Sequence, residues 1–114
     1  MTAPAKTVIY PVTNLAEAKA LYRRLLGIEP VMDEPYYVQF DLDGLLVGLD
    51  PNGHAKGLTG PVPFWLVADI HQHLADLIAA GAGEVQAVTD VGGGKLIASV
   101  EDADGNIIGL MEQP

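Results

Sequence analysis

Few side chains in this sequence combine a reactive type with a useful spacing. His71 and His73 stand two apart in a stretch of helical periodicity, where such residues face different ways and cannot share one ion. They read as polar flanks of an amphipathic helix. His54 follows Asp50 in a Gly- and Pro-rich stretch, which is half a metal site at most and reads as a solvated loop. The pairs Asp41/Asp43 and Asp102/Asp104 occur as Asp-x-Asp-Gly, too short for an EF-hand loop and lacking its distant bidentate Glu. Asp-Gly is instead a pair suited to hairpin turns that need positive φ. Gly92-Gly93-Gly94-Lys95 lacks the spacing of a phosphate loop and a following Ser or Thr. There is no Gly-x-Ser-x-Gly elbow, and Ser99 has no evident His partner. No catalytic residue is assigned.

The rest of the composition narrows the classes further. The 114 residues carry 15 Asp+Glu against 6 Lys+Arg, a net charge of -9, and no cysteine. That length allows one ordinary domain, or two very small units that share a core. Zero cysteines exclude disulfides, iron-sulfur clusters, thiolate zinc sites and cysteine nucleophiles. An apolar fraction of 49% is too high for a disordered acidic tail. No apolar run approaches the ~18 residues of a membrane span. The opening MTAPAKTVIY has no apolar region behind a basic stretch, so a cytoplasmic protein free of the membrane is expected. Net acidity argues against nucleic acid. It serves solubility and favours a cationic small molecule or partner. The charge is uneven: residues 1–57 hold five basic and seven acidic side chains, residues 58–114 one basic (Lys95) and eight acidic.

An internal repeat organises the elements that must position any site. DLDGLLVGL at 41–49 matches DADGNIIGL at 102–110, and PVTNLAEAKALYRRLLG at 11–27 matches LVADIHQHLADLIAAGAG at 66–83. The glycine run at 92–94 accounts for the extra length of the second copy. Residues 7–12 read as a strand, then Asn14 as an N-cap with Glu17 three residues on. Leu15, Ala18, Leu21, Tyr22, Leu25 and Leu26 recur at helical spacing as one apolar stripe ended by Gly27. Strands are expected at 29–32, 36–42 and 45–50, the last two joined at Asp43-Gly44. The second copy gives a strand at 63–68, a helix capped by Asp69 and Gln72, and strands at 84–89, 95–100 and 106–111. The pattern is βαβββ twice: module one at 5–50, a linker at 51–62 and module two at 63–112, in one α+β domain. One helix on four strands leaves a sheet face uncovered, so neither module is expected to stand alone.

Val12-Thr13-Asn14-Leu15-Ala16-Glu17-Ala18, running into Leu21-Tyr22-Arg23-Arg24-Leu25-Leu26-Gly27, resembles the first helix of the vicinal oxygen chelate superfamily of glyoxalase I, bleomycin-resistance proteins and extradiol dioxygenases. Glu101-Asp102-Ala103-Asp104-Gly105-Asn106, with the apolar run to Leu110, resembles that group's closing hairpin and final strand. The resemblance covers nearly the whole chain. It implies paired βαβββ modules whose mainly antiparallel sheets curl around a cavity, usually in a homodimer. It does not fix an activity, since isomerases, lyases, dioxygenases and antibiotic-sequestering proteins share the fold.

Enzymatic members hold a divalent metal on four strands, and the resemblance places those positions at Thr7, Gly48, Pro63 and Gly109. A divalent ion wants three or four N or O donors, and two glycines and a proline supply no side-chain donor. No metal and no cofactor is therefore expected. Ligand-binding candidates on the same strand faces are Thr7, Tyr37, Gln39, Gly48, Trp65, Ser99 and Met111, with Trp65 offering a flat π surface beside Asp41 or Asp50. The reading that follows is a metal-free protein binding a hydrophobic or cationic aromatic ligand in a dimer cleft. The alternatives are a metal-dependent lyase, isomerase or dioxygenase with displaced ligands such as Asp50, His54 or Glu112, and a module kept for partner binding or regulation.

Overall fold

A computed structural model describes residues 5–114. They divide into two compact units, one spanning 7–61 and the other 62–114 together with residues 5 and 6. Each unit is a βαβββ module, and the class is mixed α+β.

The first unit runs β1 (Ala5–Pro11), α1 (Leu15–Leu26), β2 (Met32–Glu34), β3 (Tyr37–Leu42) and β4 (Leu45–Asp50). Asn14 separates strand from helix: its Oδ1 accepts the Glu17 N–H at 3.0 Å. Gly27 closes the helix with φ 70°, and its N–H reaches the Arg23 carbonyl at 2.9 Å. In the β3–β4 turn both Asp43 (φ 55°) and Gly44 (φ 102°) adopt the positive φ that a two-residue hairpin loop requires. β4 pairs antiparallel with β3 and parallel with β1, and β2 pairs antiparallel with β3. The expected strand at 29–32 forms later, at Met32–Glu34. Pro30 has no N–H to give to a ladder, and the first bond to β3 comes from Val31 N–H to Gln39 O at 2.8 Å.

The sheet of this unit has two unlike faces. Val38, Phe40, Val47 and Leu49 are buried against Tyr10, Leu15, Ala18, Tyr22 and Leu26, so α1 covers that face. Full burial of a side chain such as Phe40 or Leu49 stabilises by ~1.5–3 kcal/mol. The opposite face carries Thr7 and Ile9, Tyr37 and Gln39, and Gly48 and Asp50, with Ile9, Gly48 and Gln39 in one cross-strand row.

The expected linker contains a 3-10 turn at His54–Lys56. The second unit then runs β5 (Val62–Leu66), α2 (Ile70–Ala79), β6 (Gly83–Asp90), β7 (Leu96–Glu101) and β8 (Ile107–Glu112). β8 pairs parallel with β5 and antiparallel with β7, and β6 flanks β7 with two register shifts. Asp69 caps α2 by accepting the Gln72 N–H at 3.1 Å. Val67, Ile70, Leu74, Ala98, Val100 and Leu110 form its core. Asp102 holds the β7–β8 turn, with Oδ1 accepting the N–H groups of Asp104 and Asn106 at 2.9 Å each and Oδ2 the Asn106 amide at 3.0 Å. These bonds, those from Asn106 foremost, hold the Asp102 carboxyl below its ordinary range. No helix among the described residues is long and apolar enough to cross a membrane.

Candidate functional site

The first unit builds its candidate site on the sheet face away from α1. Strand alternation brings Thr7, Tyr37, Gln39 and Gly48 onto that face. Gly48 is bare backbone, and the Tyr37 ring lies over it. A Cβ at Gly48 would meet the Tyr37 Oη at 2.0 Å and Cζ at 2.6 Å. The phenol donates to Gln39 Oε1 at 3.1 Å, which leaves the Gln39 amide nitrogen as the remaining donor of the pair. Burial, and then the negative charge of Asp50, push the Tyr37 hydroxyl up to about 12. It therefore stays a protonated donor across the physiological range. Thr7 is buried on the same face.

The second unit repeats the device with different residues. Phe64, Gly109 and Ser99 form one cross-strand row. A Cβ at Gly109 would meet the Phe64 ring at 2.7 Å. Met111 lies two residues along β8 from Gly109 and shares its face. Ser99 is fully buried, and its Oγ has no hydrogen-bond partner among the described residues. The register shifts sit in β6, while the β7–β8 pairing that sets the side on which Ser99 stands is unbroken.

Trp65 stands elsewhere. It pairs with Leu110 and hence shares the face of Ala98, which packs in the core under α2. The expected parity of β5, with Pro63, Trp65 and Val67 on the Gly109 face, is reversed: Val62, Phe64 and Leu66 take that face. The residue seven before the Asp69 cap, as Thr7 is seven before Asn14, is Val62, not Pro63. Trp65 instead borders a groove on the helix side with His73, Asp76, Leu77, Ile108 and Leu110.

The four places where the resemblance locates metal ligands thus hold Thr7, Gly48, Val62 and Gly109, of which one has a side-chain oxygen. This donor set does not fit a divalent ion. Both glycine positions are also filled, one by a phenol and one by a phenyl ring. The lone Ser99 hydroxyl does not change that balance. Two of the three displaced candidates are engaged in other contacts. Asp50 is 4% exposed, and its carboxylate accepts the Asn52 N–H and the Lys56 ammonium at 2.8 Å each. Glu112 accepts the Ile70 N–H at 2.9 Å, so it caps α2 from β8. His54 lies in the 3-10 turn and borders a groove with Glu17, Leu21 and Tyr22. No three His, Asp or Glu side chains among the described residues are grouped to hold a metal.

The comparisons agree with this architecture. The family model of the Glyoxalase/Bleomycin resistance protein/Dioxygenase superfamily matches residues 5–110. No curated protein matches the chain. Among solved structures, a superfamily member from Vibrio splendidus 12B01 has 18% identity and a TM-score of 0.69 over 94% of this chain and 97% of that one. Methylmalonyl-CoA epimerase from Mycobacterium tuberculosis has 18% identity and a TM-score of 0.71 over 99% of this chain and 89% of that one. The Mn(II)-bound glyoxalase from Novosphingobium aromaticivorans has 19% identity and a TM-score of 0.70 over 97% of this chain and 39% of that one. At these identities the likeness is one of fold.

Proposed function

The chain belongs to the Glyoxalase/Bleomycin resistance protein/Dioxygenase superfamily, and within it we propose a small-molecule-binding protein that works without a resident metal, in the manner of the drug-sequestering members. The observation that carries this reading is the pair of aromatic rings seated over Gly48 and Gly109. A ligating side chain at either place has to displace a ring, so losing the metal site involves filled space as well as absent donors. The other side chains of those faces are mostly buried and apolar with a few fixed polar groups, a makeup in keeping with an organic ligand. Ser99 Oγ fits the same reading: leaving a buried hydroxyl unbonded costs ~1–3 kcal/mol, which a ligand bond would offset.

The ligand class is hydrophobic or cationic aromatic, in keeping with the net charge of -9. A homodimer is part of the proposal. Leu21 and Leu25, one turn apart on α1, are 67% and 72% exposed, an apolar stripe of the kind a second chain covers. The test is thermal unfolding in the presence of a chelator with a panel of hydrophobic and cationic aromatic compounds. A binder at a hundred times its Kd stabilises by ~2.7 kcal/mol. No stabilisation across the panel, or stabilisation only when a divalent ion is supplied, contradicts the reading.

A further inference from the structure

We propose that the groove beside Trp65 is the binding site for a planar organic cation. The inference rests on the small-molecule reading above, but places the ligand on the helix side of the second sheet instead of on the Gly109 face, and fixes its charge. The groove has a volume of about 270 Å3, just below the ~300–1,000 Å3 of small-molecule sites. It therefore suits one small ring system. Leu77, Ile108 and Leu110 supply apolar walls, and Trp65, 37% exposed, supplies an aromatic surface that a flat ligand can stack on.

The polar groups set the sign of the ligand. Asp76 is the carboxylate of the groove. Gln72 Nε2 donates to its Oδ1 at 2.8 Å, which steadies the group and leaves Oδ2 without a partner among the described residues. His73 Nδ1 lies 2.9 Å from the Asp69 carbonyl oxygen, an acceptor only, so Nδ1 donates to the helix backbone and not to the groove. Asp76 Oδ2 is thus the acceptor that the groove presents. No Lys or Arg lines the groove, and Lys95 is the single basic residue of 62–114 against eight acidic ones. A cation over the indole face gains from the ring quadrupole and from Asp76 together, and an anion gains from neither.

The test uses three probes of one shape: 1-methylquinolinium, neutral 1-methylnaphthalene and anionic 1-naphthoate. Trp65 is the only tryptophan, so its fluorescence reports contact directly. The expected result is saturable quenching by 1-methylquinolinium beyond that of free N-acetyltryptophanamide, with affinity falling from cation to neutral probe to anion. Asp76→Asn should cost the cation roughly threefold to fivefold in affinity, the size of an exposed charge interaction, and leave the neutral probe unchanged. Trp65→Leu, followed by calorimetry, should weaken the cation by about fivefold or more. Equal quenching by all three probes, an Asp76→Asn variant that binds the cation normally, or a Trp65 signal that follows protein concentration instead of probe (a second copy on the groove) overturns the proposal. Compounds that stabilise the protein without quenching Trp65 overturn this site and leave the small-molecule reading standing. A chelator-removable metal overturns that reading and leaves a quenching result at Trp65 intact.

Discussion

Replacing Gly48 by alanine tests the packing over the first glycine floor. Built on the observed backbone, the new Cβ lies 2.0 Å from the Tyr37 Oη, 2.6 Å from Cζ and 2.9 Å from Cε1. All three atoms belong to one rigid phenol, so it must swing away as a unit. Overpacking of this kind costs ~1–3 kcal/mol. Loss of the Tyr37–Gln39 hydrogen bond adds ~0.5–1.5 kcal/mol. Replacing a strand glycine returns ~0.5–1 kcal/mol. The ranges combine to a destabilisation of about 0.5–4 kcal/mol centred on about 2 kcal/mol, a fall of roughly 8 °C in the thermal midpoint at that centre. The assay is urea unfolding followed by circular dichroism, in the parent protein and in a Tyr37→Ala background. With the ring gone the three nearest atoms to the added methyl are removed, and its cost should largely disappear, giving a coupling of about 2 kcal/mol. An equal loss in both backgrounds, or none in the parent, refutes the claim that Tyr37 fills the place of a side chain at position 48.

Three further predictions follow from single contacts. Ultraviolet titration should show Tyr37 ionising only at about 12, with Tyr22 also displaced upward, and Tyr37→Phe should remove the phase at about 12. Because its folded value lies above the ordinary 10.0, the associated stability is full below pH 10 and is lost as pH rises towards 12. Glu112→Ala removes the acceptor for the Ile70 N–H and should destabilise by ~1 kcal/mol in the same urea assay; an unchanged midpoint contradicts the cap. Light scattering should give twice the 12.0 kDa chain mass, and Leu21→Lys with Leu25→Lys should give the chain mass alone; a parent monomer removes the dimer from the proposal.

The features that were legible in the sequence are those written in local chemistry. Asn14 and Asp69 cap helices through bonds to residues three positions on, and Asp43-Gly44 makes its turn within two residues. The βαβββ repeat follows from such signals. β5 was not legible: Val62-Pro63-Phe64-Trp65-Leu66 is apolar throughout, so no alternation reveals which side faces α2, and the side appears only in the pairing of Trp65 with Leu110. The cap from Glu112 spans 42 residues to Ile70, a separation at which spacing carries no signal. The rings over Gly48 and Gly109 were hidden for a related reason. Glycines in strands mark a close approach, but the partner depends on pairing register, diagonal in β3 for Tyr37 and directly across in β5 for Phe64.

The central claim is that the four positions where the superfamily resemblance puts metal ligands hold no divalent ion and that the protein works without one. Elemental analysis of the folded protein, purified without chelator and then dialysed against Mn(II), Zn(II) or Ni(II), tests it most directly. The account predicts well under one bound ion per chain and a thermal midpoint that a chelator does not move. One ion per chain, removable by chelator with a fall in the midpoint, would contradict it.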